Sequence, residues 1–159
     1  MSATLTGSAN PRRLLLSVPL ALWFAFTPNH ALAELGQTEL SARNLVRLGL
    51  QQTHLESFPH YRRVTIASKE IVVRQFIDLK TGAVFGVSWQ GNRMPELASL
   101  LGFNPIAMNG PGVFRSLHVL RIQTSILSLE AMGHVGSYLG RAVRTDLLPA
   151  GVSATEVAP

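Results

Sequence analysis

Cysteine is absent from this 159-residue chain, and its absence excludes several kinds of chemistry. There can be no disulfide, no lipid attached to a cysteine, no c-type haem site and no cysteine nucleophile. Charged residues are also scarce at 14% of the chain, with only nine acidic residues against 14 lysines and arginines. The basic residues are spread thinly, whereas nucleic-acid binding needs a clustered basic stripe. Nucleic acid is therefore not an expected partner.

The chain also lacks sequence motifs that would indicate a particular reaction. No serine lies in a Gly-x-Ser-x-Gly turn, and residues 109–112 lack the Lys and the Ser or Thr that complete a phosphate-binding loop. The few carboxylates stand apart, so a general acid and base pair has no local support. His54, Glu56 and His60 lie within seven residues, but their spacing matches no recognised ligand pattern. We expect no catalytic set, no metal and no cofactor.

The first 33 residues have the three parts of a signal peptide. Arg12 and Arg13 give the positive start, residues 14–26 form an uncharged apolar core, and small residues precede Glu34. The apolar core of 13 residues would span about 20 Å as a helix, which is too short to cross a bilayer of about 30 Å. We expect cleavage between Ala33 and Glu34 after the general secretory route, in preference to the twin-arginine route. The mature protein would reach the periplasm or the outside and keep no permanent membrane span.

Residues 34–159 are predicted to form a single small domain of the α+β class. The segment 34–58 has leucines at spacings typical of a helix, which would be the N-terminal helix of the domain. A short second helix is predicted after Pro95, with Gly102 beyond its end. The tail from Gly151 is small and polar, and we expect it to be loose.

The rest of the domain is predicted to be an antiparallel sheet of five or six strands. Apolar residues alternate through residues 61–90, which favours a three-stranded meander. Residues 78–82 have the chemistry of a short hairpin turn. We expect Phe85, Val87 and Trp89 to share one buried face of the third strand.

Three later segments, 117–122, 126–129 and 135–143, also have the composition of strands. The last of them alternates imperfectly around Gly136 and Gly140. These glycines indicate bulges or a close approach of another part of the chain.

The candidate binding residues are His134, Tyr138, Arg141 and Trp89. A His, Tyr and Arg set can bind an anionic or polar ligand, with the guanidinium as a two-pronged donor. Strand alternation puts His134 and Tyr138 on one face and Arg141 on the other, unless a bulge intervenes. In the alternative interpretation His134 bonds a backbone carbonyl at a turn and Tyr138 packs in the core. Trp89 is expected in the core, and His118 is expected to be a strand histidine in or near it.

Several short segments together resemble a known family. They are Ala-Glu-Leu-Gly at 33–36, the hairpin 78–91 ending in Trp-Gln-Gly, Gly-His at 133–134, Tyr138, Gly-Arg-Ala at 140–142 and Leu-Leu-Pro-Ala-Gly-Val-Ser at 147–153. This pattern covers the chain beyond the signal and resembles the bacterial exported family catalogued as domain of unknown function 2844. The resemblance implies export in a Gram-negative bacterium and carries no activity.

The expected function is a non-catalytic binding or interaction module of the cell envelope, with an unknown envelope protein or a polar ligand as partner. The alternative is a small periplasmic hydrolase or lyase that uses His134, Tyr138 and Arg141. An enzyme needs these groups to converge in a concave pocket, whereas an interaction module exposes a sheet edge or a flat apolar patch.

Overall fold

The computed structural model describes Leu35, Gly36 and residues 51–159, most of which belong to one antiparallel sheet. Within these residues eight strands form: β1 (Gln51–Ser57), β2 (Tyr61–Ala67), β3 (Ile71–Asp78), β4 (Val84–Gly91), β5 (Val113–Arg115), β6 (Val119–Gln123), β7 (Leu127–His134) and β8 (Ser137–Arg144). A short helix, α1 (Leu97–Leu101), lies between β4 and β5, and 3₁₀ turns occur at Pro105–Ala107, Thr145–Leu147 and Ala154–Glu156.

The sheet consists of two four-stranded meanders placed side by side. The strand order is β1-β2-β3-β4-β8-β7-β6-β5, and every neighbouring pair is antiparallel. The last strands of the two meanders, β4 and β8, therefore pair at the centre, while β1 and β5 form the edges. We call β1–β4 the first half and β5–β8 the second half. Because strands alternate in direction, the turns after β5 and after β7 lie at the same end of the sheet, which we call the tip end.

The inner face of the sheet carries the larger core, which spans both halves. Its buried side chains include Val64, Val73, Val87, Trp89, Ala142, Leu129 and Ile122, and the three leucines of α1 pack against them together with Leu35. A Cβ added at Gly140 would overlap the indole ring of Trp89, so this glycine lets the ring lie against the backbone of β8. The close approach predicted at Gly140 is confirmed.

Among the described residues, the C-terminal tail (residues 145–159) covers the outer face over the first half, and none of them covers it over the second half. Tyr61, Phe76, Phe85, Val143 and Val157 form a second buried cluster there, with tail residues Leu147, Leu148, Val152 and Ala154 packed against it. The Ser88 hydroxyl donates to the carbonyl of Ala158 at 2.7 Å, which ties the end of the tail to β4. From Gly151 onward the sequence predicts a loose tail, but Val157 is buried against a cluster whose members come from distant strands.

The predicted α+β class is wrong, because the described residues are nearly all sheet. Residues 51–57, assigned to the N-terminal helix, form the edge strand β1. This strand is exposed almost throughout and therefore lacks the alternation that identifies a half-buried strand. Residues 37–50 of the predicted helix, and the predicted signal peptide with its cleavage site at Ala33 and Glu34, lie outside the described residues.

The three-stranded meander of residues 61–90 is confirmed as β2, β3 and β4, and the short helix after Pro95 as α1. The face assigned to Phe85 is wrong. Phe76 pairs with Gly86 and Ile77 pairs with Val84, so Phe85 is an extra residue in a β-bulge. The bulge turns Phe85 to the outer cluster, while Val87 and Trp89 face the inner core.

The predicted sheet of five or six strands also omits part of the second half. The segment 135–143 is not a single strand, because Val135 and Gly136 form the turn of a hairpin between β7 and β8. Gly136 has a φ of +85°, the left-handed conformation that the third residue of a type II turn requires.

Candidate functional site

Trp89 lies in the inner core and is fully buried. Its indole nitrogen has no hydrogen-bond partner among the residues that the structure describes. A ligand in solution therefore has no access to this side chain, and the expectation that Trp89 packs in the core is confirmed.

The other three candidate residues do not converge. His134 pairs with Ser137 and Tyr138 pairs with Gly133, so these two side chains occupy neighbouring positions of the hairpin and point to opposite faces. Arg141 shares the outer face with His134 but pairs with Glu130, four positions back along β7, or about 13 Å away. The predicted faces are wrong because residues 135 and 136 form a hairpin turn. The turn interrupts the alternation of faces that a continuous strand would have through residue 136.

His134 itself is exposed, and its Nδ1 lies 3.1 Å from the carbonyl oxygen of Val135. This contact agrees with the interpretation in which His134 bonds a backbone carbonyl at a turn. A binding role for His134 stays a prediction.

Arg141 belongs to an ion-pair ladder on the outer face of the second half. Its Nη2 donates to Glu130 Oε2 at 3.1 Å, and Arg121 Nε donates to Glu130 Oε1 at 3.0 Å. Partly exposed apolar side chains flank the ladder, namely Phe114, Met132 and Leu139. Because Glu130 already engages one edge of each guanidinium, neither arginine is available for a two-pronged contact on that edge.

Tyr138 contributes instead to a groove on the inner side of the tip end. The groove has a volume of about 200 Å³ and runs between α1, the loop before β5 and the ends of β5 to β8. Met94, Leu97, Ile106 and Leu117 give it apolar walls, and Arg115, His118 and Tyr138 bring polar groups to it. No Asp or Glu is among its lining residues.

The polar groups of this groove are largely uncommitted. Arg115 donates to Asn109 Oδ1 at 3.2 Å and to the carbonyl of Met108, and within the described residues it has no carboxylate partner. The Tyr138 side chain and the His118 imidazole form no hydrogen bond with any described part of the protein. Five other arginines, at positions 63, 93, 121, 141 and 144, each pair with an Asp or Glu. Arg115 is thus a cation with neutral partners beside an apolar wall.

Sequence reasoning missed His118 and Arg115. His118 was predicted to lie in or near the core, but it is exposed in the turn between β5 and β6. That turn, Ser116 to His118, contains no Gly, Pro, Asn or Asp, and its single serine is a weak turn signal. Strand pairing, which places Val119 opposite Met132, brings His118 close to Tyr138, 20 positions away along the chain.

Perturbed titrating groups occur away from the groove. Burial alone would raise the pKa of Asp78, but hydrogen bonds from the Lys80 amide and from the amide and hydroxyl of Thr81 outweigh it and hold the pKa below its usual value. Asp78 therefore caps the turn between β3 and β4 as a carboxylate.

Three further groups with shifted pKa values lie in the tail or next to it. Burial, helped by the Glu156 carboxylate, raises the pKa of the Tyr61 hydroxyl beneath the tail. The two hydrogen bonds of 2.8 and 2.7 Å between Arg144 and Asp146 raise the pKa of the arginine and lower that of the carboxyl. These groups support the fold, and none of them lines the groove.

Neither a metal centre nor a membrane-spanning helix occurs in the part of the chain that the structure describes. His54 Nε2 lies 3.7 Å from Glu56 Oε1, and no group of three His, Asp or Glu side chains that could hold a metal occurs among the described residues. No helix within residues 51–159 is long and apolar enough to cross a membrane.

Comparison with known proteins places the chain by family alone. A family model matches residues 31–157, and its description is protein of unknown function, DUF2844. No curated protein and no solved structure matches the chain. The chain belongs to the DUF2844 family.

Proposed function

We propose that this DUF2844 protein is an exported, non-catalytic binding module that takes a small organic anion in the groove at the tip end. The single observation that carries the proposal is Arg115, whose guanidinium lies at an apolar groove and has no carboxylate partner among the described residues. A guanidinium with free N–H groups beside an apolar wall favours a ligand with one anionic group and an apolar body.

The remaining polar groups of the groove fit the same ligand. The Tyr138 hydroxyl and the His118 imidazole each have hydrogen-bonding capacity that no described residue uses. Met94, Ile106 and Leu117 would contact the apolar body. A volume of about 200 Å³ is below the ~300–1,000 Å³ of sites for drug-sized molecules, so the ligand would be smaller than those.

Export is the second part of the proposal, and it rests on the charge and hydropathy pattern of the first 33 residues. The family match begins at residue 31, close to the proposed cleavage site. Mass spectrometry of the protein that accumulates in producing cells would give Glu34 as the first residue. An intact chain held in the inner membrane would contradict export of a cleaved protein.

The hydrolase or lyase alternative has no observation in its favour. His134 and Tyr138 point to opposite faces of the hairpin, and the Arg141 guanidinium is paired with Glu130. A reacting atom would have no position within hydrogen-bonding distance of all three side chains.

Titration with phenylacetate, followed by amide NMR shifts, tests the binding proposal. We expect shifts at His118 and Tyr138, and a weaker effect of phenylacetamide, which has the same shape without the charge. Arg115→Gln should weaken phenylacetate binding about tenfold, whereas the matched control Arg121→Gln on the outer face should not.

Tyr138→Phe separates loss of binding from loss of folding, because the Tyr138 hydroxyl has no partner among the described residues and its removal leaves none of them unsatisfied. This variant should bind phenylacetate more weakly while its melting temperature stays the same. Equal affinity for the acid and the amide, or equal effects of the variants at positions 115 and 121, would show that the groove is not an anion site.

A further inference from the structure

Two hairpin turns at the tip end present large apolar side chains to solvent. Leu117 lies in the turn between β5 and β6 and Val135 in the turn between β7 and β8, and each is 91% exposed. The two turns are neighbours, since the amide of Gly133 donates to the carbonyl of His118 at 3.0 Å. Ile106, also largely exposed, lines the groove together with Leu117. We call Leu117 and Val135 the hairpin tips.

Such residues are unusual at these positions. Turns favour Gly, Pro, Asn, Asp and Ser for conformational reasons, and the turn between β2 and β3 at the same end has the polar sequence Ser68-Lys69-Glu70. Neither hairpin tip belongs to a buried cluster of the fold. Their exposure in water is unfavourable, and it is relieved only if something outside the described structure covers them.

The charge around the tips favours an anionic partner. Residues 93–145 contain five arginines and two acidic residues, Glu96, which accepts a hydrogen bond from Ser99, and Glu130, which is paired with two arginines. Arg115 precedes the first tip, and Lys69 lies in the polar turn at the same end, which adjoins Ser137. The carboxylate of Glu70 in that turn pairs with Arg93.

We infer that the hairpin tips dock the protein on an anionic lipid surface, with Leu117 and Val135 inserted between headgroups and Arg115 and Lys69 facing the phosphates. The tips are two separate protruding side chains at the ends of turns. A partner protein would need a pocket for each, whereas a fluid bilayer accepts both without a preformed site. Apolar residues inserted to interfacial depth and flanked by cations are the combination that binds peripheral proteins to anionic membranes. This docking goes beyond the proposed ligand site but shares Arg115 and Leu117 with it. It rests on the exposure of the tips and the charge around them, and flotation without phenylacetate tests it separately from ligand binding.

Flotation with lipid vesicles tests the inference. The whole coding sequence is expressed and the form that accumulates is purified, so that wild type and variants share one N-terminus. Vesicles of phosphatidylethanolamine with phosphatidylglycerol should carry the wild type, and vesicles of phosphatidylcholine alone should carry much less. The double variant Leu117→Ser with Val135→Ser should bind the anionic vesicles at least about tenfold more weakly.

The matched control is Leu79→Ser with Ile126→Ser. Leu79 and Ile126 are also apolar, about half exposed and located in hairpin turns, but these turns lie at the opposite end of the sheet. The control should bind like the wild type. If the tip variant floats like the wild type, if both variants lose binding equally, or if the wild type does not float, the inference is wrong.

Tryptophan fluorescence at position 135 measures insertion into the bilayer directly. Val135→Trp should show a blue shift of its emission with anionic vesicles and quenching by brominated lipid. The native Trp89 is fully buried, and the emission of the protein without the Val135→Trp substitution gives the background to be subtracted. An unshifted emission in a protein that does float would assign the binding to another surface and overturn the docking by the hairpin tips.

Discussion

The two halves of the sheet follow one plan and differ in what covers their outer face. In each half the first hairpin is closed in the same way, by the amide of Phe58 donating to the carbonyl of Tyr61 and by that of Ser116 donating to that of Val119, both at 2.8 Å. Phe76 in β3 is fully buried on the outer face, whereas Met132, on the same face of the third strand of the second half, is 37% exposed. The difference teaches that the strands alone do not decide which surface becomes core.

The C-terminal tail buries the outer face of the first half and so makes it part of the core. In the first half the rings of Phe58 and Tyr61 stack with centroids 4.6 Å apart, and Tyr61 lies edge-on to Phe85 at 5.8 Å. Val157 packs over Gly86, where any Cβ would overlap it, so the glycine provides the space for the tail. In the second half the centre of the same face carries the Arg121, Glu130 and Arg141 ladder, whose charges are best left hydrated.

Matched truncations on the outer face should give the largest contrast between the halves. Phe76→Ala removes a fully buried ring and should lower the free energy of unfolding by about 3–5 kcal/mol. Met132→Ala removes a partly exposed side chain and should cost no more than about 1 kcal/mol. Urea denaturation of the two variants measures both values. Similar losses would show that the open face is as well packed as the covered one.

In each half a turn joins the third strand to the fourth, and these two turns should differ in their response to acid. The pKa of Asp78 is lowered in the folded state, so its contribution to stability is present above about pH 4, the unfolded pKa, and is lost as the pH falls through the folded pKa. Asp78→Asn should therefore cost about 1–2 kcal/mol near neutral pH and progressively less as the pH falls through the folded pKa. Urea denaturation at a series of pH values measures this change.

The corresponding turn at Val135 and Gly136 contains no carboxylate and serves as the internal control. Amide exchange, corrected for its intrinsic pH dependence, should lose protection on acidification around residues 79–83 and keep it around residues 134–137. A loss of protection in both turns would assign the acid response to the whole sheet.

Substitution of His134, an exposed histidine of the second half, should have the smallest effect. His134→Ala removes one contact with the adjacent Val135 carbonyl and no buried packing, so the stability should change by no more than about 0.5 kcal/mol. Thermal unfolding measures this change. A loss above about 1 kcal/mol would indicate that His134 supports the fold through interactions beyond that contact.

The sequence predicts the parts of the fold in which one strand face is buried by its neighbours. Val64, Val73 and Val87 alternate with more polar residues, and this period of two identifies the meander directly. β1 could not be recognised in the same way, because it is an edge strand with most side chains exposed on both faces. The bulge that turns Phe85 outward changes no residue type and leaves no signal in the pattern.

The candidate site was harder to predict than the fold, because contacts between residues distant in sequence bring its side chains together. Arg115, His118 and Tyr138 meet because β5, β6, β7 and β8 are neighbours in the sheet, and spacing along the chain does not reveal this. The set of His134, Tyr138 and Arg141 was proposed from closeness in sequence, which the turn at Gly136 converts into opposite faces. No motif or spacing in the sequence distinguishes Val157, and its burial follows from two phenylalanines about 70 to 80 positions earlier.

The hydrogen bond between Ser88 and Ala158 also indicates when, during folding, the outer face of the first half becomes covered. It joins residues 70 positions apart, and Val157 beside it completes the cluster around Phe76 and Phe85. A chain synthesised from its N-terminus delivers this segment after all eight described strands, so the phenylalanines stay uncovered until then. Long-range closure of this kind is slow, of the order of milliseconds to seconds for all-β domains. During that interval the outer face of the first half is a hydrophobic surface that other chains or chaperones can bind.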